Sequence, residues 1–216
     1  SRALWRSEDA PYCKGRKPLT SAVELRIRLR MRYEQNWLHR ALLAYGVTEA
    51  DISLYDNQRS LDFLETIPEI DSERMGAFGL SVGCMHCHQL AAFDSRIRAS
   101  VRVCWTGDFD GMLAQNGPRA MGVNFLLPKI NAECHVPELV ALSDPGAVLI
   151  VNGRQDALYP FAAQEKARRE ILRIAGRQGR QKQLRWLYFN GPHCFHAPQQ
   201  VEALKFFREF IVGHSF

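Results

Sequence analysis

Apolar residues in this chain follow two alternating rhythms: short near-continuous runs, and longer stretches where they recur every three or four positions. Ser21 to Tyr45 has no glycine or proline and is rich in Leu, Arg, Met and Glu, so it predicts a helix stopped by Gly46. Thr48-Glu-Ala-Asp51 resembles a capping box and opens a second helix through Leu54, Leu61 and Leu64 to about Thr66, with Pro68 beyond it. From Arg74 a mostly apolar run ends at Gly79, and Met85 to Phe93 continues in helix-compatible residues, which reads as strand, sharp turn, helix. Ile97 to Trp105 alternates apolar and basic residues before turning apolar, a second strand. Ala147 to Val151 is a β-branched run closed by Asn152-Gly153, the pattern of a strand buried on both faces. A helix over Ala162 to Ala175, a strand over Leu184 to Phe189 and a helix over Pro198 to Val212 complete the series. Ser1 to Thr20 reads as a loop. Thr106 to Leu142, broken by several glycines and prolines, reads as an excursion or cap over a site.

Strands alternating with helices predict an α/β fold, a parallel sheet covered on both faces, with ligands at the carboxyl ends of the strands. A chain of 216 residues can bury one substantial core, so one domain is expected. At 46% hydrophobic and 24% charged residues, without repeats or low-complexity tracts, the composition is that of an ordinary globular chain. No apolar run approaches a membrane span. The excess of 28 basic over 23 acidic residues is mild, and the arginines of Ser21 to Tyr45 read as a solvated helix face rather than a nucleic-acid surface. The six cysteines are scattered among apparent core elements, which predicts free, buried thiols and a reducing compartment such as the cytoplasm.

Chemistry enters at Gly79-Leu-Ser81-Val-Gly83, a Gly-x-Ser-x-Gly set at the strand-to-helix turn. A serine held there points its hydroxyl out of the sheet, and glycines at 79 and 83 are expected to remove Cβ atoms that would collide. The helix N-terminus behind it offers the Val82 N–H to a developing oxyanion. Asp156 follows the strand ending at Gly153 and His193 follows the strand ending near Gly191, so all three polar residues fall just past carboxyl ends. Their order, Ser81, Asp156, His193, is one that serine hydrolases use. Serine is a weak nucleophile at neutral pH, so a histidine must take its proton and an acid must hold that histidine in the right tautomer. Asp108 or Asp110 could replace Asp156 as the acid, and His196 is the nearby rival for the base.

Other constellations point elsewhere. Cys84-Met-His-Cys87-His88 fits the spacing for covalent haem attachment, but places both thiols on the helix packed behind the turn. Zinc is disfavoured there because four ligands within five helical residues cannot converge on one tetrahedral ion. Cys134 and His135 read as structural. No metal or cofactor is expected.

From about Gly46 to Ile211 the chain resembles the α/β-hydrolases related to dienelactone hydrolase and bacterial acetyl xylan esterases. The matching pieces are Pro68-Glu-Ile-Asp71, Arg74 and GLSVG, Phe93-Asp94-Ser-Arg96, Val136-Pro-Glu-Leu139, LIVNGRQDALYP and FNGPHCF. The resemblance implies a serine esterase with a small acyl substrate, acetyl-like, on a sugar or similar alcohol. The related prolyl oligopeptidase group, or an inactive scaffold, are its alternatives. Cys84 stands where that family usually has a further glycine. Ser1 to Pro18 resembles the segment after the family's fourth strand. The resemblance therefore implies the C-terminal part of a longer hydrolase, unstable or inactive without its first strands and their oxyanion donor.

Overall fold

The computed structural model describes residues 21–116, 140 and 146–213. The chain divides into two compact units, Ser1–Tyr45 and Gly46–Phe216, where its length predicts one domain. Helix α1, Ser21–Ala44, is what is described of the first unit, and it spans the stretch that the absence of glycine and proline predicts. An exposed Arg30–Glu34 pair at 2.8 Å links successive turns.

The second unit carries the expected α/β architecture. Its elements are α2 (Glu49–Glu65), β1 (Met75–Leu80), α3 (Val82–Phe93), β2 (Ile97–Val103), α4 (Phe109–Asn116), β3 (Ala147–Gly153), α5 (Phe161–Arg177), β4 (Leu184–Phe189) and α6 (Ala197–Phe207). Thr48 caps α2 as its sequence predicts: the Thr48 hydroxyl accepts the Asp51 N–H at 3.1 Å, and the Asp51 carboxylate accepts the Thr48 N–H at 2.7 Å. The last helix does not run on regularly to Val212. It widens into a π-helical turn over Arg208–Val212 and stops at Gly213, which takes φ 75°.

The four strands are all parallel, in the order β1-β2-β3-β4. Alternation along them sorts two faces. Ala99, Val101 and Val103 of β2 and Ala147, Leu149 and Val151 of β3 pack with Ala203 and Phe206 of α6. Val148 and Ile150 point the other way, against Ile171 of α5 and Val140. All seven β3 residues are buried, as a β-branched run between two helical layers requires. On the β1 side, Leu61 of α2 and Leu90 and Ala91 of α3 close over Met75 and Ile97. Arg96 fastens this corner, pairing with Asp94 at 2.6 Å and with Asp62 and Glu65 of α2 at 2.8 and 3.0 Å.

Two features depart from a simple reading of strand polarity. Arg102, expected as one of the basic residues alternating along β2, is fully buried; its guanidinium reaches His88 Nδ1 at 2.9 Å and donates to the Ser100 hydroxyl at 3.0 Å. Strand β1 pairs only with β2 among the described residues, and Phe78 on it is 67% exposed. Residues 117–139, most of the predicted excursion, lie outside the described residues, as do Cys134 and His135. Its first part forms α4.

Candidate active site

Ser81 ends β1 and opens α3 in a single residue, and to do so it adopts φ 59° and ψ −121°, where non-glycine residues rarely settle. Its backbone is held from both sides. The Ser81 N–H donates to Val103 O at 2.9 Å, and Ser81 O accepts from Cys84 N at 2.8 Å and Met85 N at 3.2 Å. The side chain makes no cap hydrogen bond, and its hydroxyl has no hydrogen-bond partner among the described residues. The turn is tight because a Cβ on Gly79 would fall 2.0 Å from Gly83 O. The expected collision at Gly83 itself is not there: a Cβ on Gly83 meets nothing within 4 Å among the described residues. Among the described residues only the first glycine of the motif is sterically required, and what occupies its missing Cβ position is the backbone of the second. Val82 is the first residue of α3, so its N–H has no acceptor within the helix.

Asp156 lies in the loop after β3 with its side chain wholly buried. Its Oδ1 accepts from Leu158 N at 2.9 Å and Tyr159 N at 3.2 Å, which leaves Oδ2 aimed at His193 Nδ1, 2.7 Å away. Since a carboxylate only accepts, Nδ1 is the donor, and in the neutral imidazole Nε2 keeps its lone pair. The two loops are tied together by Arg154 N to Phe189 O at 2.9 Å and Gln155 N to Gly191 O at 3.1 Å. Gly153 allows this approach, because a Cβ there would sit 2.5 Å from Gly191 O. Buried Gln164 braces the turn, donating to Gly153 O at 2.9 Å and Tyr159 O at 2.6 Å. The Tyr159 ring stacks on His193, 6.0 Å between centroids and 12° from parallel.

Ser81 and the loops that carry this pair all follow carboxyl ends of parallel strands, at the same rim of the sheet. Leu80 pairs with Val103, so Ser81 and Cys104 come next in register at the carboxyl ends of β1 and β2. The Cys104 sulfur lies within 4.8 Å of ligating atoms of both Asp156 and His193. His193 and Asp156 therefore lie beside the end of β2, the strand that pairs with the one carrying Ser81. No hydrogen bond joins the Ser81 hydroxyl to His193 in this structure.

Sequence reasoning passed over Cys104, Tyr159 and Gln164. Cys104 is fully buried at φ 51°, donates weakly to Cys194 O at 3.6 Å, and burial pushes its thiol up to about 11. The signal that could have found it is the rule that selected the other three, since it directly follows an apolar strand run. The rival acids are placed elsewhere: Asp108 accepts from Gly111 N at 2.8 Å and Lys166 Nζ at 2.9 Å, and Asp110 is exposed on α4. His196 is exposed at the start of α6. Cys84, Cys87 and His88 are core residues of α3. Cys87 faces Val101 O at 3.9 Å, so the haem-attachment spacing has neither thiol at a surface. Burial first, and the neighbouring Arg102 second, hold the His88 imidazole well below its ordinary value. Among the described residues no helix is long and apolar enough to cross a membrane.

No protein-family model matches the chain. Among characterised sequences it is similar to YtaP of Bacillus subtilis (strain 168), whose name marks it as a suspected hydrolase, at 22% identity over 174 residues. That match covers 81% of this chain and 58% of the relative. Among solved structures it is similar to the glucuronoyl esterase catalytic domain of Hypocrea jecorina, with a TM-score of 0.62, 19% identity, and 75% of this chain on 51% of that one. A glucuronoyl esterase of Caldicellulosiruptor kristjansonii gives 0.59 at 18% identity, with 75% of this chain on 50% of that one. A puromycin-hydrolyzing peptidase of Mycobacterium tuberculosis gives 0.58 at 16% identity, with 75% of this chain on 26% of that one. The chain thus spans 58% of its sequence relative and between 26% and 51% of these structures.

Proposed function

We propose that this chain, whose fold is that of the α/β-hydrolases, is the part of a serine hydrolase that carries the catalytic residues, and that the reaction is hydrolysis of a carboxylic ester. The observation that carries the reading is the 2.7 Å bond between His193 Nδ1 and a buried, twice amide-bonded Asp156, set beside a serine in a strained strand-to-helix turn. In this reading the Asp156 carboxylate keeps the proton on Nδ1, so Nε2 is free to take the Ser81 proton as the oxygen attacks the acyl carbon. The Val82 N–H, at the positive end of α3, bonds the oxyanion. His193 then returns the proton to the departing alcohol, and water releases the acyl group from Ser81 by the same steps in reverse. The absent Ser81–His193 bond accords with the loose geometry of such pairs before substrate arrives.

The resemblance to dienelactone hydrolase and acetyl xylan esterases favours a small, acetyl-like acyl group on a sugar or similar alcohol, and the glucuronoyl esterases among the structural neighbours favour an ester substrate in general. The peptidase among them supports a second reading, an acyl-peptide hydrolase using the same three residues. The test is a fluorophosphonate probe with p-nitrophenyl acetate and an acyl-peptide anilide offered in parallel. Labelling at Ser81, lost in Ser81→Ala, with ester turnover exceeding anilide turnover, is the expected result. Anilide preference would move the assignment to the peptidase. Failure to label Ser81 in folded protein would leave a scaffold without chemistry.

A further inference from the structure

We propose that Cys104, Asp156 and His193 together form a site for a soft divalent cation such as Zn²⁺ or Cd²⁺, and that occupancy turns the catalytic site off. A thiol sulfur, a carboxylate oxygen and an imidazole nitrogen here lie within 4.8 Å of one another. Around a tetrahedral zinc ion, with bonds of about 2.0–2.3 Å, such ligand atoms sit roughly 3.3–3.7 Å apart, so the His193–Asp156 pair, now 2.7 Å apart, must open slightly while His193 moves up to about 1 Å towards the sulfur. His193 can supply that movement, because its side chain is 23% exposed and it stands in a loop. The other two are fixed. Cys104 is held by its N–H to Val151 O at 2.8 Å, and Asp156 is oriented by the Leu158 and Tyr159 amides, the outer bonds that a metal-binding carboxylate needs.

The donor set selects the class of ion. Thiolate and imidazole favour zinc, cadmium and their neighbours over magnesium or calcium. One thiolate, one carboxylate and one neutral imidazole also cancel the charge of a dication in a largely buried place. Binding releases the thiol proton to solvent. The Nδ1 proton leaves for Nε2, since the metal takes the Nδ1 lone pair, so the His193–Asp156 hydrogen bond gives way to two metal bonds and no other covalent bond changes. Inhibition follows directly, and this part rests on the function proposed above: with Nε2 protonated, His193 has no lone pair for the Ser81 proton.

The experiment uses the chelator-stripped 216-residue chain. Cd²⁺ is titrated while the ultraviolet sulfur-to-cadmium charge-transfer band is read, and Zn²⁺ is titrated into an ester assay with each protein normalised to its own metal-free rate. We expect a cadmium band that Cys104→Ser loses, and zinc inhibition of at least tenfold that EDTA reverses and that Cys104→Ser weakens at least tenfold. Asp156→Asn keeps every thiol and is expected to weaken cadmium binding at least tenfold, so it decides the matter if Cys104→Ser does not fold. Equal cadmium bands in wild type and both variants, or zinc inhibition unaltered in Cys104→Ser, would overturn the proposal. A metal-free chain without turnover that still shows the Cys104-dependent band would remove the hydrolase reading and keep the site.

Discussion

Replacing Gly79 by alanine should damage this protein far more than the same change at Gly83, although the motif presents the two glycines as equals. A Cβ at residue 79 would lie 2.0 Å from Gly83 O, 2.1 Å from Gly83 C and 2.6 Å from Cys84 N. Comfortable separations are about 3.5 Å, so something must yield by roughly 1.5 Å. All three atoms are backbone in the first turn of α3, so no side chain can rotate away. Either the end of β1 leaves β2, breaking Ser81 N to Val103 O, or α3 lifts and takes buried Cys84 and Met85 with it. Overpacking costs about 1–3 kcal/mol, and rigid backbone on the far side puts this case at the upper end. With an m-value of about 2 kcal/mol/M, a loss of about 3 kcal/mol lowers the urea midpoint by about 1.5 M. Shifting the serine by about 1 Å costs about a hundredfold in turnover besides.

At Gly83 the arithmetic reverses. Among the described residues no atom outside the helix's own backbone and the chain neighbours lies within 4 Å of an added Cβ, the residue is inside a helix, and its φ is not positive. Gly83→Ala should gain about 0.5–1 kcal/mol from helix propensity and the stiffer unfolded chain, raising the midpoint by about 0.3–0.5 M. Urea titration followed by tryptophan fluorescence reads both. Equal destabilisation by the two substitutions, or a Gly79→Ala protein as stable as wild type, would refute the one-sided packing argued here.

Ser81→Gly should abolish labelling by a serine probe yet stabilise the fold by about 1 kcal/mol, because relief of about 1–3 kcal/mol of strain exceeds the added freedom of the unfolded chain, about 0.4–1 kcal/mol; a stability loss on urea titration would contradict the strain at φ 59°. Asp156→Asn keeps an oxygen for the Leu158 and Tyr159 amides but turns an N–H towards His193, so ester turnover should fall by about 10⁴ with the urea midpoint little changed; a drop of less than tenfold would remove Asp156 from the proposed trio. His88 is held neutral in the fold, its proton affinity depressed, so below about pH 6.5 the unfolded chain binds a proton that the native one does not. Stability should therefore fall by about 1.4 kcal/mol per pH unit on acidification from about 6.5, down to the depressed native value, and His88→Gln should flatten that slope; matching slopes in the two proteins would show that His88 takes up its proton normally when folded.

The fold was legible because its elements announce themselves locally. The β-branched run at Ala147–Val151, the Thr48–Asp51 box and glycine stops such as Gly46 each act within a few residues, and the structure has them as the sequence implies. The proposed trio was legible for a different reason: in a parallel sheet, residues just past strand ends share a rim whatever their separation in sequence. What escaped was three-dimensional. Nothing in the bare pattern of β2 says that Arg102 has His88 and Ser100 waiting for it, and nothing in the motif says that the Cβ position of Gly79 is filled by Gly83 while that of Gly83 is open among the described residues. The π-helical turn at Arg208–Val212 was likewise hidden, because the apolar positions Phe207 and Ile211 suit a regular helix equally well.

Cys104 shows how far the strand-end rule reaches. Among the described residues, Ser81 and Cys104 are the two non-glycine positions with positive φ, and they are next in register on neighbouring strands. Each donates its N–H one strand further along the sheet, Ser81 to Val103 O and Cys104 to Val151 O, so the ladder continues for one bond after each chain has left the strand conformation. Such backbone costs about 1–3 kcal/mol per residue and persists only where its surroundings over-determine it. Here they do. Val101, Val103, Ile150 and Val151 behind the rim are fully buried, and beyond each turn the chain is anchored again, by Cys84 and Met85 after Ser81 and by Trp105 after Cys104, all in one apolar cluster with Met112, Tyr159 and Ala163. The sheet core and this cluster grip the two turns from opposite sides. That is how a small parallel sheet can hold a serine and a thiol in strained turns at one rim.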